Sequence, residues 1–460
     1  MITTKTSIEL RKEILPNNQG AGGGTVSILQ MPSGKIVIKR FVHRNKVVNV
    51  VDRYELIGEG DAAEIQTLPL TREVADRIVD TILSGRKSWS ACFVIEANPK
   101  QHEEINWVKS ESEHKFTSTG IKFWRHQEAM ESYRDSTGRS IISTHISPEG
   151  ACNLKCPYCS VTYRDTHSRI ALPRIQKYVT DLKSRGLKAV ILTGGGEPTI
   201  YPHFNQLVQW LKHEQGLSVA LITNGTLSKR VEPETWKCFS WVRVSINIFD
   251  GWEEKIGIDP TLLSPDCVVG CSTVYSVEHE ATNEEVPLDR LELFAKISKV
   301  ADRCGAKYIR VLPNCLLEQN QLILEHKSIQ KIAEKLGDTR YFQQYKVHGA
   351  PDSDVCHQSY FRPYLSEEPY HEDGEPGTVY PCDSVVLNNS QAFFAKQYQL
   401  CKPENVLEFM DQKIQQQFNP REACKGCVFT GNVNQLKEWK ESGKSRFSEF
   451  PSPLVHEEFV

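Results

Sequence analysis

Between about Ser140 and Gly337, short β-branched apolar runs alternate with stretches whose apolar residues recur every three or four positions. The runs are SIISTHIS, KAVILT, LSVALIT, WVRVSINI, CVVGCSTVYS and KYIRVL. Several are apolar almost throughout, as strands covered on both faces must be, and such strands are usually parallel. The stretches between them read as helices. Ile175, Tyr178, Val179 and Leu182 fall at i, i+3, i+4 and i+7, with Gly186 as a stop. Phe204, Leu207, Val208 and Leu211 repeat the pattern before Gly216, and Ile329, Ile332, Ala333 and Leu336 before Gly337. Six strands alternating with helices predict a parallel α/β architecture, an open sheet or a partial barrel. Periodicity alone does not choose between them.

The flanks read differently, and a chain of 460 residues is too long for one ordinary core. Three domains are expected, over residues 1–139, 140–340 and 341–460. In the first, TVSILQMPSGKIVIKRFV predicts a hairpin around Pro32-Ser33-Gly34, and TREVADRIVDTILSG predicts one helix. This is a small α+β module. After about residue 340 regularity fades into a segment rich in Pro, Gly and acidic residues, RPYLSEEPYHEDGEPG, and the last stretch, ESGKSRFSEFPSPLVHEEFV, reads as a tail. There is no internal repeat and no low-complexity tract.

With 39% hydrophobic residues, 25% charged and a net charge of −3, the chain has a globular composition and no global field for nucleic acid or anionic membrane. The basic run Lys39–Lys46 reads as a solvated strand edge rather than a phosphate contact. No apolar run approaches the ~18 residues of a membrane helix, and the N-terminal residues lack a signal-peptide core. A cytoplasmic protein is expected, where thiols stay reduced and grouped cysteines mean metal or redox chemistry. There are 14 cysteines. Cys92, Cys238, Cys267, Cys271, Cys304 and Cys315 stand alone and read as small buried hydrophobes.

Cys152, Cys156 and Cys159 lie within ACNLKCPYCS, directly after the first predicted strand. Structural zinc closes four ligands, so this trio would need His145 or His167 as a fourth. A [4Fe–4S] cluster held by three thiolates instead leaves one iron open to a small molecule. The loop sits at the C-terminal end of a strand, where ligands gather in α/β folds.

CNLKCPYC resembles the signature of the radical S-adenosylmethionine (radical SAM) enzymes, and the chain continues as they do. TGGGEPTIYP follows the second strand, TNG ends the third, VSINIFD is the fourth and IRVLP ends the sixth. The resemblance covers roughly residues 120–340 and implies a partial (β/α)6 TIM-like barrel. By it, Cys152, Cys156 and Cys159 ligate the cluster, whose open iron is chelated by S-adenosylmethionine. Tyr158 lies by the adenine, and Leu312 and Pro313 border it. Gly195, Gly196 and Glu197 receive the methionine amino group, glycine allowing close backbone approach. Ser245 and Asn247, on one face of the fourth strand, contact ribose and carboxylate. The family's chemistry is reductive cleavage of the cofactor to a 5′-deoxyadenosyl radical that abstracts a substrate hydrogen atom. A flavodoxin- or ferredoxin-type protein supplies the electron.

The later cysteines form a second group: Cys356, then Cys382 within GTVYPCDS, then Cys424 and Cys427 within ACKGCVF. Gly-x4-Cys followed by Cys-x2-Cys resembles the family's auxiliary-cluster extension, called SPASM with two clusters and twitch with one. No cysteine follows Cys427, so one auxiliary [4Fe–4S] cluster is implied. A four-cysteine zinc site is the alternative the ligands equally allow. Cys401 is a spare, read as a buried thiol.

Relatives of this kind act on peptides and proteins, which they oxidise, crosslink or epimerise, or on small molecules such as aminosugars and nucleosides. A leading module suits a peptide substrate, although leader-binding domains carry a three-stranded sheet followed by three helices and only one helix is legible here. A non-catalytic scaffold is the third possibility. Asp250, Tyr275, Glu278 and Arg310, near the C-terminal ends of predicted strands, are the candidate catalytic residues.

Overall fold

The computed structural model describes residues 8–15, 24–31, 34–42, 46–51, 53–56, 66–83, 110–156, 158–161, 164–246, 254–275, 288–315, 329, 332, 335–346, 349–387, 396–450 and 454–460. The chain divides into two compact units, Met1–Trp107 with Val277–Glu280, and Val108–Ser276 with Ala281–Val460.

In the first unit, alternation of apolar and polar residues makes an antiparallel sheet with one buried face. Strands β1 (Ile8–Leu15), β2 (Gly24–Gln30), β3 (Ile36–Val42) and β4 (Lys46–Val51) pair in chain order. β2 and β3 are the predicted hairpin, with Gly34 at φ +84° in its turn. The basic run spans the end of β3 and the start of the edge strand β4. β5 (Arg53–Leu56) and β6 (Gln66–Pro69) form a separate antiparallel pair. The helix Arg72–Leu83 buries Val74, Ala75, Ile78 and Val79 against Val26, Ile28 and Ile38. Among the described residues it is this unit's one helix.

The second unit is built on a nine-stranded sheet. The six predicted strands are present as β7 (Ser143–Ile146), β8 (Ala189–Leu192), β9 (Ser218–Thr223), β10 (Phe239–Ser245), β11 (Val268–Tyr275) and β12 (Tyr308–Pro313). They are parallel and adjacent in chain order. Three strands extend the sheet beyond that expectation. β13 (Tyr341–Gln343) adds to β12, and β14 (Tyr364–Pro369) pairs parallel with β7 and antiparallel with β15 (Pro376–Tyr380). β14 and β15 are the Pro- and acid-rich segment read as irregular. Residues 341–460 therefore share a sheet with the strands before them.

Residues 108–139 also belong to this unit rather than to the N-terminal module. Helix Gln127–Arg134 packs on helix Thr430–Ser442, whose Trp439 donates its indole N–H to the Met130 carbonyl at 2.8 Å. The expected C-terminal tail is core as well. Phe459 packs with Ala189, Ile191, Ala220 and Trp241, and Ser143 donates to the Val460 carbonyl at 3.4 Å. The buried ammonium of Lys122 donates to the carbonyls of His456 (3.0 Å) and Phe459 (3.4 Å). An ammonium so buried demands such acceptors. Desolvation pulls its pKa down to about 7.

Candidate active site

Two loops at the C-terminal ends of β7 and β8 are zipped together by their backbones. Gly196 N–H donates to the Glu149 carbonyl (3.0 Å), and Glu197 N–H to that of Ala151 (2.8 Å). Gly195 N–H donates to the Ser147 hydroxyl at 2.7 Å. The approach is so close that a Cβ on Gly196 would lie 2.1 Å from the Ala151 carbonyl oxygen, and one on Gly195 1.8 Å from Glu367 Oε1. Glycine is required at Gly196, where the neighbour is backbone, and at Gly195 any side chain would have to displace Glu367.

The loop after β7 carries Cys152, Cys156 and Cys159. Arg164 braces it, donating to the carbonyls of Gly150 (2.7 Å) and Val161 (2.9 Å) and to Cys159 Sγ (3.5 Å). Cys156 lies near enough to the other two thiols for them to oppose its ionisation. Burial first, then Cys159 and Cys152, push the Cys156 thiol up to about 12. Such a trio favours a cationic guest that accepts thiolates. Among the described residues no group of three or more His, Cys, Asp or Glu is placed to hold a metal ion.

Inside the sheet, alternate side chains of the parallel strands face a cavity of about 280 Å³. Ile191, Ile222, Trp241, Arg243, Tyr308, Arg310 and Leu312 line it, with Tyr158 and Ser160 on either side of Cys159. Gly270 stands between Arg243 and Tyr308 in register, and a Cβ there would meet the Tyr308 ring at 2.0 Å. The missing side chain lets Tyr308 cross β11 and accept from Arg243 Nε at 3.2 Å. Burial, then Arg243, pulls the Arg310 guanidinium down to about 9. Asp383 pairs with buried Arg362 and lies 3.4 Å from His145 Nδ1; although burial opposes ionisation, Arg362 and His145 hold its carboxyl well below the usual range.

Cys356, Cys382, Cys424 and Cys427 together line a second, smaller pocket, closed by Pro351, Pro381, Phe418 and Val433. Burial raises all four thiols; Cys356 and Cys382 are raised further by other thiols of the set, as is Cys424. Gly377 adopts φ +118°, a backbone that glycine tolerates, five residues before Cys382. Cys401 is outside this set. It is 2% exposed and bridges to Val379. Ser384, Val428 and Phe429 line both the pocket and the larger cavity, so one wall separates the two.

The candidate residues fall as follows. Tyr158, Leu312, Pro313 and Arg310 line the cavity, and Ser245 follows Arg243 by two on the same strand face. Glu197, expected to receive an amino group, has its carboxylate occupied. It accepts from Thr199 N–H (3.2 Å), the hydroxyls of Thr199 (2.7 Å) and Thr223 (2.6 Å), and Asn224 N–H (2.8 Å). Tyr275 is corrected by strand alternation. Val274 lines the cavity, whereas Tyr275 packs on Phe294 with ring centroids 6.1 Å apart. Asn247, Asp250 and Glu278 lie outside the described residues. Arg243, Arg362 and Asp383 escaped the sequence reading, and His145, weighed there only as a fourth zinc ligand, lies beside Asp383. The available signal was a charged residue inside an apolar strand, Arg243 in WVRVS, two positions from Ser245.

Residues 146–258 match the Radical SAM superfamily. Over 109 residues the chain is 30% identical to an S-adenosylmethionine-dependent nucleotide dehydratase of Selenomonas ruminantium, covering 23% of this chain and 38% of that one. Over 98 residues it is 32% identical to a GTP 3′,8-cyclase of Chlorobaculum tepidum, covering 21% and 29%. The chain thus spans about a third of the length of these relatives. Among solved structures, Streptococcus suis SuiB bound to S-adenosylmethionine aligns at TM-score 0.41 and 12% identity, covering 66% of this chain and 78% of that one. Native anSMEcpe with bound AdoMet and Cp18Cys peptide aligns at TM-score 0.37 and 15% identity, covering 64% and 87%.

Proposed function

We propose, for a chain that carries a radical SAM domain over residues 146–258, a two-cluster enzyme that removes a hydrogen atom from its substrate inside the 280 Å³ cavity. Cys152, Cys156 and Cys159 would hold a [4Fe–4S] cluster with one iron left to S-adenosylmethionine, three thiols on one loop fitting that guest. When bound, the pair supplies a 5′-deoxyadenosyl radical by reductive cleavage of the sulfonium. The chain's own part is to position and to exclude. Tyr158, Leu312 and Pro313 offer the adenine a border on the cavity wall, and Ser245 lies on the strand face of Arg243. Gly195 and Gly196 keep backbone within reach of the methionyl end. Glu197 fixes the loop through its four bonds. The sheet, read as a partial barrel, is stoppered at the other end by Phe459, which keeps water from the cavity floor.

Cys356, Cys382, Cys424 and Cys427 would hold the auxiliary cluster, whose chemistry there is to take up an electron. The single observation that carries this reading is the shared wall. Ser384, Val428 and Phe429 touch both the cavity and the four-thiol pocket. An electron leaving a substrate in the one has a contact-distance path to the other.

A peptide or protein side chain and a small molecule are both substrates this chemistry serves. Two curated relatives that the chain matches are named for nucleotides, which favours the small molecule. The deciding experiment is anaerobic reconstitution followed by iron and sulfide analysis, Mössbauer spectroscopy and dithionite reduction with S-adenosylmethionine. Two clusters give about eight irons per chain and release of 5′-deoxyadenosine. Zinc at either site, or no 5′-deoxyadenosine from fully loaded protein, ends the proposal.

A further inference from the structure

The cavity walls carry far more positive than negative charge. Lys115, Arg243, Arg310, Lys346 and Arg362 line it against one carboxylate, Asp383. Asp383 is already engaged by Arg362. Among the described residues neither Arg243 nor Arg310 has an ion-pair partner. Arg243 is held by neutral groups, the Phe116 carbonyl (2.9 Å) and the Tyr308 hydroxyl, and lies over the Trp241 ring at 4.9 Å. Arg310 donates to the Gln344 amide oxygen at 2.8 Å and leaves its buried Nε without an acceptor. Buried His145, whose Nδ1 faces Asp383, also has its Nε2 without a hydrogen-bond partner. Lys346 and Arg362 flank Phe429, 4.9 and 4.8 Å from its centroid.

Buried cations without counter-charges are costly, and a protein keeps them where a ligand completes them. A single carboxylate would answer one arginine. Two arginines lacking counter-ions, with Lys346 opposite, call for a ligand of more than one negative charge and several acceptor oxygens. Phosphate esters meet that demand, and guanidinium forks match their oxygens in pairs. We infer that the cavity binds a phosphorylated small molecule, its phosphate held by Arg243 and Arg310 with Lys346 at the wall shared with the four-cysteine pocket. This rests on the cavity being the substrate chamber, as proposed above, and deepens it.

The test uses the full reconstituted chain and inorganic pyrophosphate as the probe, followed by titration calorimetry with S-adenosylmethionine absent and saturating. Expected is one saturable site per chain, weakened more than tenfold by Arg310→Gln and by Arg243→Gln, and restored to within a few-fold by Arg310→Lys. Binding should also fall steeply between 0.05 and 0.5 M salt, an experimental range of about one decade. Lys346→Gln, at a partly exposed position, should weaken binding in the same direction and keeps the test decisive if an arginine variant fails to fold. Unchanged affinity in these variants overturns the inference. So does loss of the site on adding S-adenosylmethionine, which would assign the cations to the cofactor's carboxylate, or equal competition by an acidic peptide. Release of 5′-deoxyadenosine is measured on the same sample. Pyrophosphate binding without it sinks the radical chemistry and leaves the anion site standing; the reverse result sinks only the anion site.

Discussion

The Glu197 carboxylate accepts the backbone N–H of Asn224 at 2.8 Å, so a single buried group ties the loop after β8 to the end of β9. Asn224 in turn donates from its side chain to Asn153 at 2.9 Å, one residue from Cys152. Glu197→Gln removes the charge behind these bonds and turns an amide N–H toward Asn224 N–H. Hydrogen bonds to charged groups contribute about 1.5–3 kcal/mol each. The variant should unfold at a lower temperature by thermal melt and load less iron at the first site.

Gly196→Ala tests the close approach of the two loops. The new Cβ would meet backbone, the Ala151 carbonyl oxygen at 2.1 Å, which cannot rotate away. Iron bound by the Cys152 loop should fall severalfold on reconstitution. Gly257→Ala, with no atom within 4 Å, is the control and should load normally.

Cys382→Ser should halve the iron content, from about eight to about four per chain, and remove one Mössbauer component. Cys401→Ser should leave iron content unchanged, because Cys401 is not among the residues that line the four-thiol pocket.

Glu367 and Glu368 lie buried at the end of β14, and burial raises their carboxyls to about 7 and about 9. A raised carboxyl favours folding in its protonated form. That contribution is complete below the ordinary value near 4.5 and is lost as pH climbs through 7 and then 9. Glu368→Gln stays neutral throughout. It should match the parent in a thermal melt at pH 5 and exceed it at pH 9, by on the order of 1–3 kcal/mol. Equal melting at both values of pH would refute the assignment.

Phe459→Ala should cost about 3–5 kcal/mol, the usual range for emptying a buried aromatic site. Phe459 is 2% exposed and meets the Trp241 ring at 5.4 Å. Chemical denaturation of the full chain reads the loss, and Trp241 fluorescence should shift red as water enters.

The strand order and the cysteine trio were legible because their signals are local. Six apolar runs alternate with helical periods, and parallel strands joined by helices pair in chain order. Cys152, Cys156 and Cys159 share one loop. β14 was not legible, since YLSEEP carries two carboxylates that exposed strands would show and buried ones seldom do. Only its position beside β7, with Ser147 and Gly195 at hand, makes Glu367 a strand residue. Tyr275 was misread because neighbouring strand residues face opposite sides, and a one-residue difference separates Val274 in the cavity from Tyr275 on Phe294.

The sequence by itself determined the loop thiols, the run of glycines and the succession of strands, all of them patterns written within short stretches of chain. Only the tertiary structure decided which face of each strand looks inward. It brought Arg243 and Arg310 to one cavity, gathered Cys356, Cys382, Cys424 and Cys427 behind the wall of Phe429, and set the final residues beneath Trp241. Those pairings join positions separated by tens to hundreds of residues, and no period along a chain encodes them. They follow from the whole sheet burying its apolar faces at once.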